Sequence, residues 1–284
     1  MSVPAASLHT MPDLPRSPIT ASLYLDHLDR ESRRFLEVLT SVDPAVPVPT
    51  CPDWSTADLL WHLAEVQWFW GSIAEGRITD EDDVEAADGE KPARPDDYQE
   101  LLALFGTARK RLAAAVADGA DDTPMWSWAA EQTLRFTRRR QAHEALIHRV
   151  DAELTAGIPV DPLDPRLAAD GIDEVLTVMW GDVPDWAGFS TTGKVLALET
   201  TDTGDAWMVE LGRMVGTSPR SGRSYDEPTT TPVEAGSRTA DALVRGSAAA
   251  LDLWLWNRGN LGIERSGDQG ALDGLATLIA NGMQ

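Results

Sequence analysis

The stretch Arg140-Gln141-Ala142-His143-Glu144-Ala145-Leu146-Ile147-His148-Arg149-Val150-Asp151 sets a carboxylate and an imidazole four residues apart inside a helical pattern. One helical turn puts Glu144 and His148 on the same face, where both side chains can reach one cation. A third donor of suitable type stands upstream at His62, in Trp61-His62-Leu63-Ala64-Glu65, and the chain holds five histidines in all. If two helices of a bundle bring these three together, three protein ligands leave an open coordination position, the mark of a working metal rather than a structural clip. Zinc suits this donor set best, and iron, nickel or cobalt would also accept it. Asp151, three residues past His148, and Arg140, four before Glu144, fall near the same stripe and are candidate partners of the ligands. Spacing alone leaves a plainer alternative open, with Glu144 and Arg140 as a surface i,i+4 pair and His148 as a hydrogen-bonded core histidine. His143 stands about 100° round the helix from Glu144, so it is expected to pack elsewhere.

The 284-residue chain is long enough for one large domain or two ordinary ones. It has no apolar run of roughly 18 residues, so no span of a bilayer is expected. A formal net charge of -22 opposes binding to nucleic acid or to anionic membranes. A single cysteine, Cys51, permits no disulfide within the chain and no thiolate-rich metal site, so any metal must sit on nitrogen and oxygen donors. Cys51 itself is expected to be a buried small apolar residue. Residues 1–17 are Pro-rich and lack the basic start and apolar run of a secretory signal, so they read as a mobile leader on a cytoplasmic protein. The dominance of Arg over Lys, with abundant Ala and Asp, suggests a GC-rich bacterial genome, such as that of an actinobacterium.

Apolar periodicity predicts a first amphipathic helix over 19–39, then a Pro-rich link over 44–52. Ser55-Thr56-Ala57-Asp58 has the form of a capping box and starts a second helix that runs to about Ala74, carrying His62. Residues 76–97, with the run Asp80-Glu81-Asp82-Asp83, read as a solvated acidic loop. A third helix is predicted over 98–116, the motif helix from about Glu131 to Thr155, and a further helix over 166–179. After Pro184 the character changes. Residues 194–200 and 206–211 read as a hairpin, 216–238 as a long exposed connection, 240–256 as a strand entry followed by a helix, and 261–264 with a helix over 272–279 as the close of a small α+β unit. The chain is therefore expected to divide into a leader (1–17), a mainly α domain (18–184) and a small α+β domain (185–284).

Thr50-Cys51-Pro52-Asp53-Trp54-Ser55 followed by Asp58-Leu59-Leu60-Trp61-His62-Leu63, then Arg140 with Ala142-His143-Glu144 and Ile147-His148-Arg149-Val150-Asp151-Ala152-Glu153, resembles the mycothiol-dependent maleylpyruvate isomerase family. Leu167-Ala168-Ala169-Asp170-Gly171-Ile172-Asp173-Glu174 extends the match. Val244-Arg245-Gly246-Ser247-Ala248 and Leu253-Trp254-Leu255-Trp256-Asn257-Arg258 look like that family's second domain. The resemblance implies a DinB-like four-helix bundle with one divalent metal, usually zinc, on His62, Glu144 and His148, followed by a sterol-carrier-like α+β domain. It also implies mycothiol as cofactor or co-substrate, with the metal favouring the nucleophilic thiolate over the thiol. Trp61 stands where the family often has a small residue and Asp53 where it usually has Gly, departures that leave the ligand residues intact and the substrate open.

Three functional readings follow from the one site. A thiol-using enzyme, either a cis–trans isomerase or an S-transferase, would take a small-molecule thiol and an electrophilic small molecule. Arg245 or Arg258 would then steady the substrate's charge if the second domain closes over the pocket. A metal-dependent hydrolase would use Glu65 or Asp151 as base, and a non-catalytic relative would keep the metal and capture a ligand. Partners are expected to be small molecules, with no nucleic acid and no membrane, on a monomer or homodimer. The cluster Trp61, Trp68 and Trp70 is expected to be packing rather than a substrate platform.

Overall fold

The computed structural model describes residues 19–89, 91–234 and 236–282, so the leader expected over 1–17 lies outside the described residues. The chain separates into two units, Ile19–Pro162 and the residues from Leu163 onward.

The first unit is helical. Helix α1 (Ala21–Leu39) leads into a two-stranded antiparallel hairpin, β1 (Pro47–Val48) and β2 (Cys51–Ser55), and then α2 (Thr56–Gly76). Helices α3 (Val84–Asp88), α4 (Tyr98–Ala117) and α5 (Leu134–Thr155) follow. The capping box at the start of α2 is present in full: Ser55 Oγ accepts from Asp58 N and the Asp58 carboxylate accepts from Ser55 N. This satisfies two of the amides that a helix start leaves unpaired and fixes the angle at which β2 feeds α2. The four long helices pack around Phe35, Leu39, Leu59, Leu60, Leu63 and Phe105, all fully buried, with the Phe35 and Phe105 rings 5.1 Å apart. Each such side chain removed from water stabilises the fold by about 1.5–3 kcal/mol. In this bundle α1 packs chiefly on α5 and α2 on α4.

Two charged side chains do structural work in that interior. Arg138, only 2% exposed, donates to the carbonyls of Val116, Ala117 and Gly119, closing the C-terminal end of α4 where helix carbonyls lack partners. Arg149, 1% exposed, joins α1 to α5 by donating to Glu31 Oε2 at 2.8 Å and to Glu153 Oε2 at 2.7 Å.

Helix α6 (Pro165–Glu174) begins the second unit and continues as a π turn over Val175–Met179. The strands are β3 (Ala187–Thr200), β4 (Ala206–Thr217), β5 (Ser224–Pro232), β6 (Ala242–Gly246) and β7 (Glu264–Gly267), with helices α7 (Ala248–Leu255) and α8 (Gln269–Asn281). They form one mixed sheet in the order β5-β4-β3-β6-β7, in which β3 and β6 are parallel and the other neighbours antiparallel. Gly212 on β4 admits no side chain, because the Phe189 ring lies 2.3 Å from where its Cβ would stand. The unit is α+β, as expected.

Four local expectations need correction. The Pro-rich link ends in the β1–β2 hairpin. The acidic loop holds a 3-10 turn at Glu81–Asp83 and the short helix α3. The motif helix begins at Leu134 rather than near Glu131, because residues before it stay extended, Thr133 pairs with Pro124 as a bridge, and the Thr133 hydroxyl then caps the helix by accepting from Phe136 N. The stretch 216–238, read as an open connection, contains β5, whose Thr and Pro content hid a strand that pairs with β4 along its length. The division between units also falls before α6 instead of near residue 185. Trp207 Nε1 donates to Asp173, Thr230 Oγ1 donates to the Leu176 carbonyl at 2.8 Å, and Thr229 donates to the Trp180 carbonyl, so the helix and its π turn are tied to the sheet. No described helix is long and apolar enough to cross a membrane.

Candidate metal centre

Helices α2 and α5 run antiparallel in a register set by their own side chains. His62 faces Glu144, and eight residues on along α2, eight back along α5, the Trp70 ring meets Phe136 at 6.4 Å. In this register His62, Glu144 and His148 present one donor atom each within 4.8 Å of one another. Both imidazoles turn Nε2 toward the same oxygen, Glu144 Oε1, at 3.2 Å each. His148 is buried, whereas His62 and Glu144 keep 23% and 15% of their side chains exposed, so the cluster reaches solvent through these two residues. Two imidazole nitrogens and a carboxylate converging on one point is the donor chemistry of a three-ligand metal site with room for a further group.

The surrounding groups hold this arrangement. Arg140 Nη2 donates to Glu144 Oε2 at 2.8 Å, which leaves Oε1 for the cluster. Burial opposes ionisation of Glu144, but the Arg140 guanidinium and the two imidazoles overcome it and hold the carboxyl well below the ordinary glutamate value. Burial likewise works against charge on His148, yet Asp151 and Glu144 prevail and raise its pKa to about 9. His148 Nδ1 lies 2.9 Å from Asp151 Oδ2, so that its Nδ1–H is spoken for and Nε2 is the atom offered to the cluster. Asp151 is in turn held by Thr50, whose hydroxyl donates to Oδ1 at 2.5 Å from the turn of the β1–β2 hairpin. The Trp54 ring, on β2, covers His62 at 4.7 Å between centroids.

Arg140 and Asp151 thus stand beside the candidate ligands, where the stripe on α5 suggested. Thr50 and Trp54 enter the site from far away in sequence and carry no spacing that announces a role. Both lie in the segment Thr50–Ser55 that leads into α2, which is the one local sign of them. Replacing Thr50 by Val is expected to weaken metal binding about ten-fold, since losing the partner of a ligand-orienting carboxylate typically costs that much. Competition with a chromophoric chelator measures it, and unchanged affinity would show that Asp151 is held without Thr50.

Two sequence profiles match the chain: the mycothiol maleylpyruvate isomerase N-terminal domain over residues 25–153 and the C-terminal domain of the same family over residues 166–274. The chain belongs to the mycothiol maleylpyruvate isomerase family. Its fold is similar to the crystal structure of a mycothiol-dependent maleylpyruvate isomerase, with a TM-score of 0.50 at 16% identity, covering 88% of this chain and 95% of that one. A histidine-to-alanine mutant of a mycothiol-dependent maleylpyruvate isomerase matches with a TM-score of 0.51 at the same identity and coverage. No curated protein matches by sequence.

The other arginines singled out as substrate contacts belong to the second unit of this family's fold. Arg245, on β6 and 47% exposed at its side chain, pairs through Nε with Glu199 Oε2 at 3.1 Å on the neighbouring strand β3. Arg258, 9% exposed, donates from Nη1 to the Trp256 carbonyl at 2.6 Å. Cys51 is fully buried. Trp68 lies under the Arg111 guanidinium at 4.5 Å and Trp70 is 5% exposed, while Trp61 packs part-buried against the bundle core.

Proposed function

We propose that this protein is a metal-dependent enzyme that uses a low-molecular-weight thiol, mycothiol by family, as an S-transferase or cis–trans isomerase acting on small electrophiles in the cytoplasm. The observation that carries this reading is the convergence of His62 Nε2, His148 Nε2 and Glu144 Oε1 on one solvent-reachable point inside this family's helical unit. A divalent cation held there, zinc by preference, would lower the pKa of a thiol and so supply a nucleophile at neutral pH. Glu144 brings the negative charge the cation needs, and Arg140 keeps that carboxylate turned so that one oxygen remains available. Asp151 and Thr50 hold His148 by its other nitrogen. Trp54 packs its ring against one side of His62.

In the isomerase outcome the thiol adds to a conjugated double bond, the resulting single bond rotates and elimination returns the thiol. In the transferase outcome the thiol remains attached. The test is turnover of conjugated electrophiles by the zinc-loaded protein, followed by loss of free thiol and by the change of double-bond geometry. Turnover is expected with mycothiol present and absent without it. Thiol-independent hydrolysis would replace this reading with the hydrolase one, and binding without turnover in either condition would make the protein a ligand-capturing relative.

A further inference from the structure

The seam that carries the metal ligands continues past them, and what lines it is aromatic. Along α2, His62, Val66 and Phe69 stand at i, i+4 and i+7 and so share a face. The antiparallel register sets Val66 opposite Arg140 and Phe69 opposite Thr137 on α5. Phe69 is therefore about 10 Å along the helix axis from His62, on the same side. There the segment before α5 folds across the seam. The Trp126 ring meets Phe69 edge-on at 6.1 Å and stacks on Trp70 at 6.1 Å, and Trp128 meets Phe136 at 5.7 Å. Trp70 and Phe136 are core residues, at 5% and 1% exposure. Val66, Phe69 and Trp126 are not: they stay part-exposed in line with His62 and Glu144, and Trp128 is 48% exposed.

We propose that this aromatic shelf seats the body of the electrophile, so that the substrate class is an aryl-conjugated electrophile, with Phe69 and Trp126 as the residues that select it. This rests on the thiol-enzyme reading above. A short dicarboxylate would leave these rings facing water, and in this unit it would meet Arg140, whose Nη2 is already engaged by Glu144. A planar ring joined to the attacked carbon instead places its face on Phe69 and Trp126 while the reacting atoms lie at the ligand cluster. In the step so framed, the S–C bond forms at the β carbon, the pair of the C=C bond moves to the α carbon, and that carbon takes the proton the thiol gave up.

Benzylideneacetone and ethylideneacetone, which differ by phenyl against methyl on the attacked carbon, are suitable probes. Their kcat/KM ratio with mycothiol on the zinc-loaded protein, corrected for their uncatalysed rates, is expected to favour the aryl enone about ten-fold. Placing one ring on aromatic partners is worth about that factor. Phe69→Leu, which keeps volume but removes the ring, and Trp126→Leu are expected to bring the ratio close to one while zinc content is retained. Calorimetric binding of benzylideneacetone without thiol supplies a readout independent of turnover and is expected to weaken in both variants. A ratio near one in the parent protein, or a ratio and a binding constant that neither variant moves, would overturn the shelf. Ring-dependent binding with no thiol reaction of either enone would keep the shelf and discard the thiol reading.

Discussion

Replacing Glu144 by alanine is expected to weaken metal binding by at least about a hundred-fold, more than the loss of an outer partner of a ligand, because it removes a donor outright. Glu144 is the anionic donor of the cluster and the one that both imidazoles face, at 3.2 Å each. Its removal also leaves Arg140, 4% exposed, without its carboxylate, so a fall in thermal stability is expected alongside the loss of metal. Glu144→Gln separates the two effects, since it keeps the shape and loses the charge. Elemental analysis after gel filtration, with a melting curve of each variant, reads both. A variant that carries one metal per chain as the parent does would remove Glu144 from the ligand set. The pH dependence has a definite sign. His148 has its pKa raised to about 9 in the metal-free protein, so at neutral pH a cation displaces its proton. Apparent affinity is therefore expected to rise with pH up to about 9.

The largest expected effect on stability lies on the other face of the same helix. Arg149→Leu leaves Glu31 and Glu153, at 3% and 0% exposure, buried with their central cation gone. Breaking a buried network by removing one partner costs about 3–5 kcal/mol, a large part of a domain's stability. Urea denaturation measures it, and a loss under about 1 kcal/mol would mean that Arg30 and Arg34 suffice. The same network sets the acid limit. Burial disfavours the charged form of Glu31, but His27, Arg149 and Arg30 outweigh it and bring its pKa from 4.5 to about 2. A carboxylate held below its unfolded value adds stability that is present above pH 4.5 and lost as pH falls toward 2. The amount is about 3 kcal/mol for a shift of this size. In Glu31→Gln the fall in stability across that interval is expected to be shallower.

The candidate metal ligands show how far local pattern reaches. Glu144 and His148 are one turn apart on one helix, so their convergence was legible from the period alone. His62 lies 82 residues away from Glu144, and nothing local states that α2 and α5 are neighbours or which residues oppose each other. The family resemblance joined them. The start of α2 was legible because a capping box is a short-range device, with Ser55 and Asp58 satisfying each other's amides. Strand β5 was not legible, because its residues, Ser224–Pro232, are turn formers by composition and become a strand only through pairing with β4. For the same reason the sequence leaves the unit of α6 open: its amphipathic face names a core but not which one, and the hydrogen bonds from Trp207, Thr229 and Thr230 tie it to the sheet. Thr50 was visible only as part of a motif, because its role depends on Asp151, 101 residues further on. Arg149 belongs to the α5 motif, and its buried role depends on α1 supplying Glu31.

The proposed function requires that this helical unit hold one divalent cation and offer it to a thiol. The most direct test is titration of the zinc-loaded protein with mycothiol in a calorimeter, with elemental analysis of the same sample and the His62→Ala variant beside it. On this reading, one zinc per chain, saturable thiol binding with proton release, and loss of both in the variant are expected. A parent protein that takes up no zinc, or one that binds the thiol equally well with and without zinc, would contradict it.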